Sequence, residues 1–333
     1  MPKKSLVLQT IALLQERGAK SLEIAHKNIH EEQIQHKPLA DALQYFADET
    51  FRYVMHPGLL SVYCEAVGGN PDDTTEVGAA MTLLVSAADI HDDIVDESTV
   101  KNGKPTVLGK FGRDIAVLAG DAFLIKGVYL LHEATASLQK TRRDEVLRLI
   151  KQAFFDLSSV EVDEAKLRGN IDLSGQEYLA LLKRKTAVSQ ATAKIGAVLG
   201  NATLDEVQIL GEIGVTVGLL STLRDEFIDV YEPDELANRF KNEILPLPVL
   251  NVFQDPEKKK RLVQLFKEGR MTKKKAEEIA KAVLEARETE ELKKEMQSLI
   301  EKGLRLTSQL RGAEKPLMLL LNSAVEDLLQ ESM

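Results

Sequence analysis

The stretch DIHDDIVDES, residues 89 to 98, carries four aspartates at the end of one of the most apolar runs in the chain. On a helix, Asp89, Asp92, Asp93 and Asp96 fall at i, i+3, i+4 and i+7 and share one face. Like charges stacked this way repel by a few tenths of a kcal/mol per pair, roughly, and by more when partly buried, so the pattern calls for a neutralising cation. A second stretch, LRDEFIDVYEPDE from residue 223, puts Asp225 and Asp229 one helical turn apart with Glu226 beside them, again closing a mostly apolar segment. Either stretch alone reads equally well as a solvated acidic face. Two such helices facing each other would make an all-oxygen cage suited to Mg²⁺, which keeps waters and shares its shell with substrate phosphates. Bare carboxylates repel a phosphorylated ligand; bridging metal ions reverse that sign.

The elements that must position these residues are helices. Apolar positions recur with helical spacing nearly throughout, and the alternation expected of strands is almost absent. The spacing predicts helices over 5–17, 20–33, 38–67, 74–97, 114–138, 141–167, 174–200, 203–231, 240–253, 256–268, 272–303 and 315–330. GGNPDD at 68–73, NGKP at 102–105, RGNIDLS at 168–174 and YEPDE at 231–235 punctuate them, and Asp172 or Ser174 caps the helix that follows. Segments 75–88 and 187–200 are apolar or small on most sides, the mark of helices inside a bundle. With no repeat and no linker, one large all-α domain over residues 1–333 is expected, its C-terminal helices, 256–333, more charged than the rest.

Composition sets the limits. The 333 residues are 44% hydrophobic with a formal charge of -9, enough for a large core and a poor match to nucleic acid as a partner. Uncharged runs reach only 12 residues, well short of the roughly 18 that span a bilayer. The N-terminal apolar stretch is interrupted too early for a signal peptide. One cysteine, Cys64, excludes an intrachain disulfide, and a cytoplasmic location is the simplest expectation. The basic run at 257–275 reads as a solvated helix face, and His91 as a packing or surface residue, since Mg²⁺ prefers oxygen.

The two acidic stretches, Asp92-Asp93-Ile-Val-Asp96 and Asp225-Glu226-Phe-Ile-Asp229, resemble the paired aspartate-rich motifs of the trans-polyprenyl diphosphate synthase family, which has the isoprenoid synthase fold. KNGKPTVLGKFGRDIAVLAGDAFL (101–124), YLALLKRKTA (178–187) and NEILPLPVL (242–250) are similar to further family segments in order and spacing. The resemblance runs over about residues 50–255 and implies an all-α bundle around a central apolar cavity. It also implies a Mg²⁺-dependent prenyltransferase, commonly a homodimer, that ionises an allylic prenyl diphosphate to a carbocation and pyrophosphate. Carried over by position, Asp92, Asp96 and Asp225 are metal ligands, assisted by Asp93, Glu226 and Asp229. Lys185 and Lys101 match diphosphate-binding cations, and either Arg239 or Lys241 supplies a third. Asp92, Asp225 and Lys185 are thus the implied catalytic residues. Ala87 and Ala88 stand where bulky side chains close the tail pocket in short-chain members, which implies a long prenyl chain.

The resemblance weakens at the acceptor side. FRYVMHP (51–57) replaces the family's basic stretch, leaving Tyr53, Val54 and His56 where cations belong; Lys101-Asn102-Gly103 replaces Arg-Arg-Gly, and Ser221-Thr222 replaces Phe-Gln. Losing two or three charge-assisted contacts, at about 1.5–3 kcal/mol each, would weaken isopentenyl diphosphate binding by orders of magnitude. Unless Arg52 compensates, the expectation is a prenyltransferase with a different, unknown acceptor. Ordinary chain elongation, a class I terpene synthase and a noncatalytic subunit of a heteromeric synthase are the alternatives.

Overall fold

The computed structural model describes residues 5–51, 55–101, 103–312 and 314–324. The chain opens with α1 (Leu6–His30), α2 (Lys37–Thr50), α3 (His56–Ala66) and α4 (Thr75–Val95). A two-stranded antiparallel hairpin, β1 (Val100–Lys101) and β2 (Lys104–Pro105), leads into α5 (Val107–Phe111), α6 (Arg113–Thr135) and α7 (Lys140–Leu167). Then come α8 (Gly175–Lys185), α9 (Ala187–Leu199), α10 (Leu204–Ile228), α11 (Pro233–Asn242) and α12 (Leu247–Val252). Four further helices, α13 (Pro256–Lys267), α14 (Lys273–Leu284), α15 (Arg287–Thr307) and α16 (Glu314–Ser323), end the described chain.

The all-α expectation holds, with boundary corrections that have local causes. The predicted break near residue 18 is absent: α1 runs straight through Gly18, which lies against Gly58 of α3 so closely that a Cβ would sit 3.1 Å from the Gly58 nitrogen. The predicted helix 38–67 is two helices. The predicted 174–200 is also two, divided at Thr186, whose hydroxyl donates to the Lys183 carbonyl at 2.7 Å and closes α8 just after Lys185. α11 and α12 are separate: Pro246 stands at the N-cap of α12 and Pro248 in its first turn, where the missing backbone donor costs nothing. The segment 272–303 likewise divides, between Leu284 and Arg287. The helix over 203–231 ends in a 3₁₀ turn at Asp229–Tyr231, so the last aspartate of the second motif sits where the helix tightens.

Capping follows the sequence signals. Ser174 rather than Asp172 caps α8, in a capping box with Glu177, and Thr203 with Glu206 does the same for α10. Asp172 instead pairs with Lys259 at 2.5 Å. Two apolar clusters are buried. One joins α1–α4, α6, α7, α9 and the first half of α10; the other joins α8, the second half of α10 and α12–α15. α4 packs along α6 and α10 along α9. Helices 113–135 and 204–231 are long and apolar enough to cross a membrane by length and composition, a possibility the 12-residue limit on uncharged runs had not suggested. The same measure describes core helices of a bundle, and α10 buries Leu210, Ile213, Leu220 and Leu223 completely.

Candidate active site

The first acidic cluster occupies the last turns of α4. Lys101, on the hairpin, reaches back to Asp89 at 2.6 Å and lies 3.8 Å from Asp93. Arg168, beyond the end of α7, pairs with Asp96 and donates to the Val95 carbonyl at 2.7 Å. Lys185, at the end of α8, pairs with Glu164 and lies 3.4 Å from Glu161, both on α7, and its charge also bears on Asp92. Four elements therefore converge on one acidic patch, and positive charge does not balance negative. Burial, then repulsion from Asp96 and Glu161, pushes the Asp92 carboxyl up to about 7 against the pull of Lys185 and Lys101. Asp93 is likewise raised to about 7, mainly by burial, although Lys101 opposes it. Asp96 is raised chiefly by burial, against Arg168. His91 is turned away from them, packed over Gly120 of α6 and 3.4 Å from Asp121.

The second cluster is organised around one buried guanidinium. Arg239 Nη1 donates to Asp229 Oδ2 at 2.6 Å, Nη2 to Glu226 Oε1 at 2.8 Å and Nε to the Ile244 carbonyl at 2.6 Å. Glu226 accepts in addition from the Tyr178 hydroxyl at 3.0 Å, and its other oxygen accepts from the Leu247 N–H at 2.6 Å. Glu226 is thus buried with both oxygens engaged, in a site suited to holding α10, α8, α11 and α12 together. Asp229 is nevertheless raised to about 7, by burial first, with Arg239 opposing and Glu226 adding to the rise. Asp225, the most exposed of the acidic residues in the two motifs, is raised to about 6, again chiefly by burial.

Glu243 connects the two clusters. Its carboxylate lies 3.7 Å from Arg239 Nε, and burial together with the nearby charges of Asp96 and Glu164 pushes it to about 8. The loop that carries Arg168 is tied to the same point, since the Gly169 N–H donates to the Glu243 carbonyl at 2.8 Å. Sequence reasoning missed Glu161, Glu164, Arg168, Tyr178 and Glu243. Tyr178 and Glu243 lie inside segments already quoted as informative, but nothing in the chain order pairs them with Arg239.

Asp92, Asp93, Asp96, Asp225 and Asp229 supply oxygen donors whose charged forms burial disfavours more than the neighbouring cations favour them, a condition that a hard divalent ion relieves. Of the cations expected at the diphosphate, Lys101 and Lys185 stand in the first cluster. Arg239 is buried in its ion pairs, and Lys241 is exposed on α11.

One cavity adjoins the first cluster and a smaller one lies beside Ala88, on the same helix. The larger, about 570 Å³, has Asp89, Asp93, Lys101, Lys104 and Arg224 among its polar walls and runs inward past Tyr45, Phe46, His56, Ser189 and Ser221 to α1. The Nδ1 atom of His56 is buried and lacks a hydrogen-bond partner, and desolvation holds its pKa down at about 4, so the imidazole is neutral there. Arg52, Tyr53 and Val54, to which part of the acceptor reading was attached, lie outside the described residues, as does Asn102. The smaller cavity, about 90 Å³, lies between α4, α6, α7 and α9 and is lined by Met81, Leu84, Ala88, Leu124, Phe154 and Leu157, among others. Ala88 therefore faces open space one turn behind Asp92, whereas Ala87 is buried in the core.

A helical bundle with acid at the mouth of an apolar cleft is the architecture of the isoprenoid synthases. The geranylgeranyl pyrophosphate synthetase of Pyrococcus horikoshii superposes with a TM-score of 0.82 at 21% identity, covering 95% of this chain and 98% of that one. The polyprenyl synthetase family model matches residues 37–284, and the chain belongs to that family. A geranylgeranyl diphosphate synthase of Sulfolobus acidocaldarius is 26% identical over 214 residues, 62% of this chain and 65% of the relative, so the matched part is just under two thirds of that protein. A geranylgeranyl diphosphate synthase of Methanosarcina mazei is 26% identical over 272 residues, 80% of this chain and 82% of its own.

Proposed function

We propose that the protein is a chain-elongating polyprenyl diphosphate synthase, a Mg²⁺-dependent prenyltransferase that joins an allylic prenyl diphosphate to isopentenyl diphosphate. In that reaction the allylic C–O bond breaks, a C–C bond forms to the acceptor, and pyrophosphate and a proton leave. The observation that carries the reading is the pair of under-neutralised carboxylate clusters, linked through Glu243 and adjoining an apolar cavity. Elongation is preferred to the altered acceptor expected from FRYVMHP because relatives such as those of Sulfolobus acidocaldarius and Methanosarcina mazei are named geranylgeranyl diphosphate synthases.

Asp92, Asp93, Asp96, Asp225 and Asp229 would hold the Mg²⁺ ions, which supply charge to stabilise the departing pyrophosphate. Lys185 and Lys101 are placed to meet diphosphate oxygens once the carboxylates they now face turn to metal, and Arg168 to steady Asp96. Glu226, Tyr178 and Arg239 fix the end of α10. The apolar walls behind Asp92 exclude water, which would otherwise quench a carbocation. The tail follows the cavity beside Ala88, where a small side chain leaves the path open.

Homodimerisation is supported by α6 and α7. Leu118, Ile125 and Tyr129 on α6 and Phe154, Phe155 and Val162 on α7 are all more than a third exposed. Exposed apolar side chains clustered on helices in this way are of the kind subunits bury.

Products extracted after incubation with Mg²⁺, allylic diphosphates of increasing length and isopentenyl diphosphate test the proposal by mass spectrometry. Linear diphosphates lengthened by whole five-carbon units are expected, and Ala88→Phe is expected to shorten them. Pyrophosphate release without isopentenyl diphosphate, giving a hydrocarbon, an alcohol or a prenylated foreign acceptor, would replace elongation with one of the other chemistries. No turnover by the protein alone would favour a subunit.

A further inference from the structure

His26 and His30 stand one turn apart near the end of α1, and both imidazoles converge on a carboxylate of the neighbouring helix. His26 Nε2 lies 2.8 Å and His30 Nε2 2.9 Å from the same oxygen, Asp48 Oδ1. The rings stack with centroids 4.1 Å apart. Behind them, the His26 ring meets Phe51 edge-on, and Phe51 packs on Phe46 and Phe123, so a rigid aromatic wall backs the stack. The three donor atoms lie within 4.8 Å of one another.

The geometry points to a second metal site, of a different chemical kind from the acidic clusters: a His26–His30–Asp48 chelate for Zn²⁺ or a similar transition ion, clamping α1 to α2. Two histidines at i and i+4 on one helix face are a standard bidentate arrangement, and a carboxylate supplies the third ligand. Bonds of about 2.0–2.1 Å in a tetrahedron put donors about 3.3 Å apart, so an ion needs each Nε2–Oδ1 contact to open by about half an ångström. Side chains 45%, 32% and 51% exposed can make that adjustment and leave a fourth position to water. Imidazole selects zinc, copper or nickel over magnesium, so this site and the oxygen clusters need not compete for the same ion. Its consequence reaches the cavity, because α2 also carries Tyr45, Phe46 and Glu49 on the cavity wall.

Metal-free protein held in millimolar Mg²⁺ is titrated with ZnCl₂ against a chromophoric chelator, and Co²⁺ is added separately as an absorbance probe. The expected result is one equivalent of zinc, a tetrahedral Co²⁺ band in the visible and a higher melting temperature in zinc. His30→Gln and His26→Gln each weaken zinc binding on the order of 100-fold and abolish the band, while melting in chelator as the unmodified protein does. Zinc uptake that is absent, or that is the same in both variants as in the unmodified chain, overturns the site. An Asp92→Ala protein that still takes up its equivalent separates this site from the acidic clusters.

Discussion

The two acidic motifs read almost alike in sequence and are built in opposite ways. The α4 cluster collects its cations from three separate elements, Lys101 from the hairpin, Arg168 from beyond α7 and Lys185 from α8, and several of these side chains remain partly exposed. The α10 cluster depends on one residue, Arg239, 7% exposed and fully committed to Glu226, Asp229 and the Ile244 carbonyl. Distributed, solvent-facing cations can let go of their carboxylates when a metal and a diphosphate arrive. A buried ion pair cannot do so cheaply, because the partner left behind keeps a buried charge without its guanidinium. On the proposed function, the same motif would serve mainly chemistry at one helix end and partly architecture at the other.

Substitutions sharpen that contrast. Asp92→Ala, in the exchangeable cluster, is expected to lower kcat/KM by about 10³-fold while leaving the fold intact, since the residue has no single buried partner. Steady-state pyrophosphate release beside a thermal melt checks both halves. Arg239→Leu strands Glu226 and Asp229 and is expected to destabilise the protein by about 3–5 kcal/mol, visible as a lower urea midpoint; Lys185→Leu, its counterpart in the first cluster, should cost activity with far less stability. Glu226→Gln keeps the shape and one acceptor but loses the charge and sets an NH2 donor where the second oxygen accepted, so about 1–3 kcal/mol of stability is at stake, and its activity should exceed that of Asp225→Asn. A Glu226→Gln enzyme with weaker metal binding than Asp225→Asn would reverse the assignment of roles.

A smaller, graded effect comes from pH. Asp92, Asp93 and Asp229 rise from an ordinary value of 3.8 to about 7 on folding. A carboxyl with a raised folded pKa takes up a proton on folding, so its contribution to stability falls as pH climbs from about 4 to 7. The metal-free protein should therefore lose stability across that window through these groups. Added Mg²⁺ should restore it, with the metal affinity rising until pH passes about 7, because a bound ion displaces those protons. Melting temperatures at several pH values, with and without Mg²⁺, measure both slopes.

Much of this was legible in the sequence, for reasons that differ by residue. Helical periodicity carried the fold, and the i, i+3, i+4 spacing carried the acidic faces, because both are local. The break after Lys185 was not legible: Thr186 is an ordinary helix residue until its hydroxyl turns back to Lys183. Nor was the role of Glu226. The resemblance implies an assisting metal ligand there, whereas the carboxylate is set among Tyr178, Arg239 and the Leu247 N–H. Such pairings join residues 13 to 48 positions apart, and only the packed bundle brings them together. The His26–His30–Asp48 cluster escaped notice similarly: its histidines are neighbours on one helix, but the carboxylate that completes the triad belongs to the next.

The central claim is that the two carboxylate clusters act as one metal-dependent diphosphate site. Isothermal titration of a non-ionisable allylic diphosphate analogue into the protein, with and without Mg²⁺, addresses it most directly. Tight binding that requires Mg²⁺ and disappears in both Asp92→Ala and Asp225→Ala is predicted. Uptake that is indifferent to Mg²⁺, or that survives either substitution unchanged, would contradict it.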